Sequence, residues 1–372
     1  MLQIEKYGAV DIGSNAMRLL INNIIEVNGQ TLFSDRNDPT NSNLDLLSAS
    51  SYTLNMATLA DNEIIPNGKE VELSKSVLQI NPIFIEDIIE TNGRKIGYLM
   101  YNRFLDEFDG ELNEVFGRFQ AEGITDLVLD FRYNPGGSVL TAQRIASMVY
   151  DDNPETIFST SVSNEKYKKV VYSANNPNGE RYFQDRIVIT DQEKNELYND
   201  ALKTLNLDKV YIIALYSSAS ASELVINSLA PYMDVIHVGD TTRGKNEFSN
   251  TFVDAPSNGY FYHPSIVDKI NPDNSWAIQP LTGRSANADG FFEYTEGLYP
   301  DVVLEEDLGD LGVLGEPNER LLARAIQEIT GASAKRDFSA KNPINEFTNN
   351  NMFLPTKDNM YEGDVLLPTP IE

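Results

Sequence analysis

The chain has 372 residues, 41% of them hydrophobic and 23% charged, enough for one large domain or two to three smaller ones and a balance that can fill a core. Its formal net charge of -27 repels nucleic-acid phosphates and argues against a nucleic-acid partner. The absence of cysteine excludes disulfides, thiol catalysis and zinc-type Cys/His spacing, and His237 and His263 are the only histidines open to a histidine-based mechanism.

No stretch approaches the roughly 20 apolar residues of a spanning helix, so no membrane span is expected. Met1 to Ile21 lacks a basic region followed by an apolar run, so it does not read as a secretory signal. Asn22 to Leu32 carries a strand, an Asn28-Gly29 hairpin turn and a second strand. Residues 35–44, rich in Asp, Asn, Ser and Pro, read as a loop. Ser51 to Leu59 and Glu70 to Leu78 alternate as two more strands, completing a small β module.

The pattern changes from residue 80. Lys95 to Tyr101 reads as an apolar strand. Glu111 to Gln120 sets Leu112, Val115, Phe116 and Phe119 on one helical face. Ile124 to Phe131 reads as a strand buried on both faces. It ends in the tight turn Arg132-Tyr-Asn-Pro-Gly-Gly137, and a helix marked by Leu140, Ile145, Met148 and Val149 follows. Val210 to Tyr216 is a further buried strand, Ala221 to Leu229 a helix ended by Pro231, and Val235 to Gly239 a third strand. Strand, turn and helix repeated in this way predict an α/β core with largely parallel strands. Residues 243–300 read as loop-rich, with Trp276 and the Tyr/Phe clusters at 260–262 and 291–294 mostly in the core. Asn318 to Thr330 reads as a closing helix. Beyond it comes an extended tail anchored by Met352, Phe353 and Leu354.

Three features fall at the carboxyl ends of the predicted parallel strands, the edge at which open α/β sheets bind ligands. Ser217-Ser-Ala-Ser-Ala-Ser-Glu223 follows a buried strand and opens a helix. A serine there sits at the positive end of the helix dipole beside an outward amide, which suits a nucleophile and its oxyanion. The bland alternative is an N-cap serine with Glu223 closing a capping box. Thr241-Thr-Arg-Gly-Lys245 lies beyond the next strand. A desolvated lysine beside another cation, here Arg243, can act as general base, although most lysines are solvated. Asn134-Pro-Gly-Gly137 can present backbone amides to an anion, or simply turn.

Together these segments resemble the S41 family of peptidases, the carboxy-terminal processing proteases and their relatives. The matching strings are Leu127-Val-Leu-Asp-Phe-Arg-Tyr-Asn-Pro-Gly-Gly137, Ser218-Ala-Ser-Ala-Ser-Glu-Leu224 and Gly239-Asp-Thr-Thr-Arg-Gly-Lys245. The strand at Lys95–Tyr101 and the ending Gly315-Glu-Pro-Asn-Glu319 are similar to the lipoprotein-like members from Bacteroidetes. The resemblance implies Ser220 as nucleophile, Lys245 as base, and Gly136 and Ala221 as the oxyanion hole. It implies no metal or organic cofactor, and protein or peptide substrates cut near their C-termini in the cell envelope. Many members carry a glutamine four residues after the lysine. Ser249 stands there in this chain, so Ser249 or Glu223 is the candidate third catalytic group.

The expected architecture is α/β (mixed α+β): a protease core with a parallel-rich sheet and flanking helices, preceded by a truncated PDZ-like β module. Its parts are an atypical N-terminal segment over 1–22, the partial module over 23–77, the core over 78–330 and the tail over 331–372. Tyr7 to Ile21 resembles the first phosphate loop of exopolyphosphatases, in which Asp11 would serve a metal-nucleotide site; one Gly-rich loop is weak support for that. The second functional reading is a catalytically impaired homologue that binds peptides or apolar ligands. His237, inside an apolar strand, reads as a packed histidine and the fallback base. No Gly-x-Ser-x-Gly elbow is present, which counts against an α/β-hydrolase.

Overall fold

The computed structural model describes residues 24–27, 30–31, 50–60, 63–74, 80–150, 153–165, 167–168, 176, 178–190, 195–255, 262, 264–274, 276–307, 311–331 and 360–361. Expectations for Tyr7–Ile21, His263 and Met352–Leu354 fall outside them. The chain divides into two units, one holding residues up to Asn81 and the other most of the rest.

The first unit is antiparallel in its described part. Strands β1 (Ile24–Val27) and β2 (Gln30–Thr31) form a hairpin with Val27 opposite Gln30, the register an Asn-Gly turn demands. β3 (Ser51–Ala60) and β4 (Glu63–Ser74) form a longer hairpin, and the sheet order is β2-β1-β3-β4. The expected strand at Glu70 begins too late. β4 runs through Pro66 and Gly68, with a register shift at Asn55/Ala57 and Gly68 at φ 71. A bulge there absorbs residues that would end a regular strand.

In the second unit, β5 (Ile83–Thr91) turns back into β6 (Arg94–Tyr101). α1 (Asp109–Glu122) buries Leu112, Val115, Phe116 and Phe119, the face its periodicity predicts, and stops at Gly123 in the left-handed region. β7 (Asp126–Asp130) leads through the Pro-Gly-Gly turn to α2 (Val139–Val149), capped by Ser138. β8 (Ile157–Ser163), β9 (Arg181–Tyr182), β10 (Arg186–Thr190) and β11 (Glu196–Ala201) follow. Then come β12 (Lys209–Ala214), α3 (Ala221–Leu229) and β13 (Asp234–Gly239). The segment expected to be loop-rich holds β14 (Glu247–Ser249), β15 (Phe252–Val253), β16 (Ala277–Ile278) and β17 (Leu281–Ala286). β18 (Val302–Val303), α4 (Arg320–Thr330) and β19 (Met360–Tyr361) complete the order.

The main sheet runs β18-β13-β12-β7-β6-β5 and is parallel except at the β5–β6 hairpin. Alternation along its strands assigns two cores. Leu99, Leu127, Leu129, Val210 and Ile212 pack with α1, α2 and α3. Tyr98, Met100, Val128, Tyr211 and Ile213 pack with α4. With both faces covered, the central strands are apolar at consecutive positions between their ends, such as Leu127–Leu129 and Val210–Ala214, which is why they read as continuous runs. Each such side chain contributes roughly 1.5–3 kcal/mol by leaving water. A second sheet, β19-β14-β17-β8-β9, adds the strand that follows the lysine loop. Trp276 and Phe291 correct one expectation: they are 83% and 46% exposed rather than part of the core.

Candidate active site

Three loops leave the carboxyl ends of neighbouring parallel strands: the glycine turn after β7, the serine string after β12 and the lysine loop after β13. Parallel pairing of β7 with β12 and of β12 with β13 sets them side by side.

The serine string separates structural hydroxyls from a free one. Ser217 donates to the Arg132 carbonyl. Ser218 donates to the Phe131 carbonyl at 2.8 Å and accepts from the Leu215 amide at 2.9 Å. Ser222 donates to the Asn134 carbonyl at 2.9 Å, and the Ala219 amide reaches the same oxygen at 3.1 Å. These bonds tie the string to the glycine turn. Ser220 alone in the string has a buried Oγ with no hydrogen-bond partner. It stands with Glu223 in a capping-box arrangement, but its hydroxyl makes no side-chain cap bond at φ 61 and ψ -110. A positive φ in a non-glycine residue costs about 1–3 kcal/mol and persists only where the surroundings enforce it. The helix that begins at Ala221 directs its dipole and first amides toward this hydroxyl's surroundings.

The glycine turn fits against that serine. Asn134 Nδ2 donates to the Tyr101 carbonyl at 2.8 Å. Gly136 has φ 102, and a Cβ on it would lie 2.7 Å from Ser220 Cβ and 2.8 Å from both the Ala219 oxygen and the Ala221 nitrogen. Only glycine fits there. The Gly136 amide, however, donates to Asn134 Oδ1 at 2.9 Å, so it is spent inside the turn rather than offered to an oxyanion. Phe104 donates to the Gly136 carbonyl at 3.1 Å and accepts from the Ser138 amide at 2.9 Å. Of these three consecutive residues, Gly137 alone spends no backbone group on Asn134 or Phe104.

Glu223 joins the serine and lysine loops. Its Oε2 accepts from the Ser220 amide at 2.8 Å and the Lys245 amide at 2.9 Å. Those two nitrogens are therefore no more than about 6 Å apart. Its Oε1 accepts from the Gly244 amide and the Thr242 hydroxyl, both at 2.6 Å. Burial pushes the Glu223 carboxyl up, and the four donors offset this only in part. Gly244, at φ 86, admits no side chain, because a Cβ would run into the Thr295 carbonyl. Arg243 stacks its guanidinium on Tyr216, 4.9 Å from the ring centre. Ser249 is buried on β14, between Leu281 on one side and Tyr361 on the other.

His237 is buried, with Nε2 3.1 Å from the Ala214 carbonyl and its amide donating to Asp301 at 2.9 Å. Burial holds its imidazole below the usual range. It is the packed histidine its apolar strand predicts. Among the described residues no group of three or more His, Asp or Glu side chains is gathered as a metal site.

Sequence reasoning left a buried ionic network behind the glycine turn without a role. Arg132, fully buried, donates to Asp130 at 2.7 Å and to both Glu319 oxygens at 2.8 Å. Tyr98 donates to Asp130 at 2.9 Å. Burial alone would raise Glu319, but Arg132 and the amides at the start of α4 outweigh it and hold the carboxyl low. The signal was the Asp-x-Arg pair at the end of a buried strand with an apolar centre, where unpaired charge is intolerable.

A model of peptidase family S41 matches residues 95–283, just over half of the chain and all three loops. The chain belongs to peptidase family S41. The carboxyl-terminal-processing protease of Picosynechococcus sp. is 26% identical to this S41 chain over 184 residues, 50% of this chain and 37% of the relative. A Staphylococcus epidermidis protein named Probable CtpA-like serine protease is 26% identical over 235 residues, 63% of this chain and 38% of the relative. The S41 chain thus spans well under half the length of these curated relatives. In structure it is similar to an S41 protease candidate from Bacteroides fragilis, with TM-score 0.58, 25% identity and coverage of 83% of this chain and 72% of the other.

Proposed function

We propose that this S41 chain is a serine endopeptidase in which Ser220 is the nucleophile and Lys245 the general base. The observation that carries the reading is the single unpaired hydroxyl of the serine string, strained and buried at a helix start, with the lysine loop hung from the same carboxylate. Ser220 Oγ attacks the scissile carbonyl carbon as the neutral Lys245 amine takes its proton. The tetrahedral oxyanion falls to the amides of Ala221 and Gly137, the second replacing Gly136, whose N–H is engaged by Asn134. Lys245 then returns the proton to the leaving amine, and water releases the acyl group from Ser220. No metal or organic cofactor enters these steps.

Glu223 has both oxygens filled by backbone amides and Thr242, so its role is to position the two loops rather than to move a proton. Protein or peptide substrates follow from the family. The name of the Picosynechococcus relative supports cleavage near C-termini, and the cell envelope follows from the family likeness alone.

The test is Ser220→Ala, which should abolish peptide cleavage while leaving binding intact. Equal cleavage by variant and wild type would overturn the reading. Because the base must be neutral, the rate should climb into alkaline pH, and a flat profile from about pH 5 to about pH 9 would count against Lys245.

A further inference from the structure

Tyr294 belongs to a segment that the sequence assigns mostly to the core. It is 3% exposed, and its hydroxyl is buried without a hydrogen-bond partner. A buried hydroxyl of this kind usually finds a partner, and exceptions call for a functional account.

The surroundings of Tyr294 are those of the lysine loop. Residues 292–298 lie along that loop. The Thr242 amide donates to the Leu298 carbonyl at 3.1 Å, and the Leu298 amide donates to Thr242 Oγ1 at 2.8 Å. Gly244 is pressed against the Thr295 carbonyl and the Gly297 amide. Asn246 Nδ2 donates to the Phe292 carbonyl. Both chain neighbours of Lys245 are thus held by residues flanking Tyr294. The charged groups that act on the phenol are Glu223 from α3 and Glu247 from β14, and together with burial, the larger effect, they keep it neutral. A neutral phenol offers one acceptor oxygen and one proton across the whole working range. Meanwhile the residue four places beyond Lys245 is Ser249, whose side chain is far shorter than a glutamine.

We propose that Tyr294 is the positioning residue for Lys245: its hydroxyl oxygen accepts a hydrogen bond from Lys245 Nζ as the amine approaches Ser220 Oγ. The proposal rests on the Ser220/Lys245 reading and adds a residue to it. Lys245 keeps its lone pair for the serine proton and spends an N–H on the phenol. That fixes its direction of approach, and a small misplacement of a catalytic group costs as much as about a hundredfold in rate.

The test uses a fluorophosphonate probe, which reports activation of the serine without knowledge of the natural substrate. Its second-order rate of labelling is measured against pH for wild type, Ser220→Ala and Tyr294→Phe, with thermal melting of each. Tyr294→Phe keeps the ring and should fold as wild type does. Its labelling rate should fall about tenfold to a hundredfold. Its alkaline limb should move to lower pH, since losing an acceptor disfavours the ammonium. A wild-type rate and limb in Tyr294→Phe would overturn the proposal, as would a slower rate with the limb unmoved, which is the mark of packing alone. Labelling of Ser220→Ala, or none of wild type, would instead sink the serine reading and this one with it. A dead Ser220→Ala beside an unaffected Tyr294→Phe sinks only the tyrosine.

Discussion

Glu223 does its work through four donors, and three of them are backbone amides that no substitution short of proline can remove. Replacing it with alanine would strand the amides of Ser220, Gly244 and Lys245 and the Thr242 hydroxyl in a water-poor interior. Charge-assisted bonds contribute about 1.5–3 kcal/mol each. Glu223→Ala should therefore lower the unfolding free energy by several kcal/mol, on the order of 3, in urea titrations, and abolish cleavage. His237 governs a different response. Its folded-state pKa is depressed by burial, so the unfolded chain takes up the proton first. The stability this histidine lends is complete above its unfolded pKa of about 6.5 and drains away as pH falls below that value. Melting temperatures between about pH 7.5 and pH 5.5 should decline in wild type, and less steeply in His237→Gln, whose amide can still donate to the Ala214 carbonyl.

The elements legible in the sequence are those whose pattern is satisfied by their own residues. α1 shows its buried face at helical spacing, and α3 spans Ala221–Leu229 as expected, with the serine string before it and Pro231 after it. β7 and β12 announce themselves as apolar runs because helices cover both faces of the sheet. β14 to β17 stayed hidden, since strands of two to six residues are too short for alternation to register and exist through partners far along the chain. The site divides in the same way. Ser220, Lys245 and the glycine turn follow strands that could be read, so their shared edge could be read too. Which glycine keeps its amide depends on the Asn134 rotamer, and Tyr294 joins the site only through the fold. At the start of α4, Glu319 accepts from the Leu322 amide at 3.0 Å while gripping Arg132. Glu319→Ala should cost about 3–5 kcal/mol, as a buried arginine loses a carboxylate. Thermal unfolding should register it as a large drop in melting temperature.

At the scale of the whole molecule, residues remote in sequence complete the sheet beside the site. β19 pairs parallel with β14, placing Met360 beside Phe248 and Tyr361 beside Ser249. Removing residues 356–372 would uncover that edge of β14, and bare strand edges recruit other strands. The truncated chain should show a larger species in size-exclusion chromatography and slower probe labelling. A truncated chain that elutes no earlier than wild type and is labelled at the wild-type rate would mean that the strand is dispensable.

The Glu223 carboxylate grips Ser220 and Lys245 by their backbones alone. Their side chains, which would carry out the chemistry, are not what this carboxylate holds. The Glu223 bonds therefore survive the loss of the Lys245 side chain. A chain with Lys245→Ala should keep its shape, bind what the active chain binds and never release it as fragments. Such a variant is a ready-made bait, and the polypeptides that stay on it are the direct route to the physiological substrate.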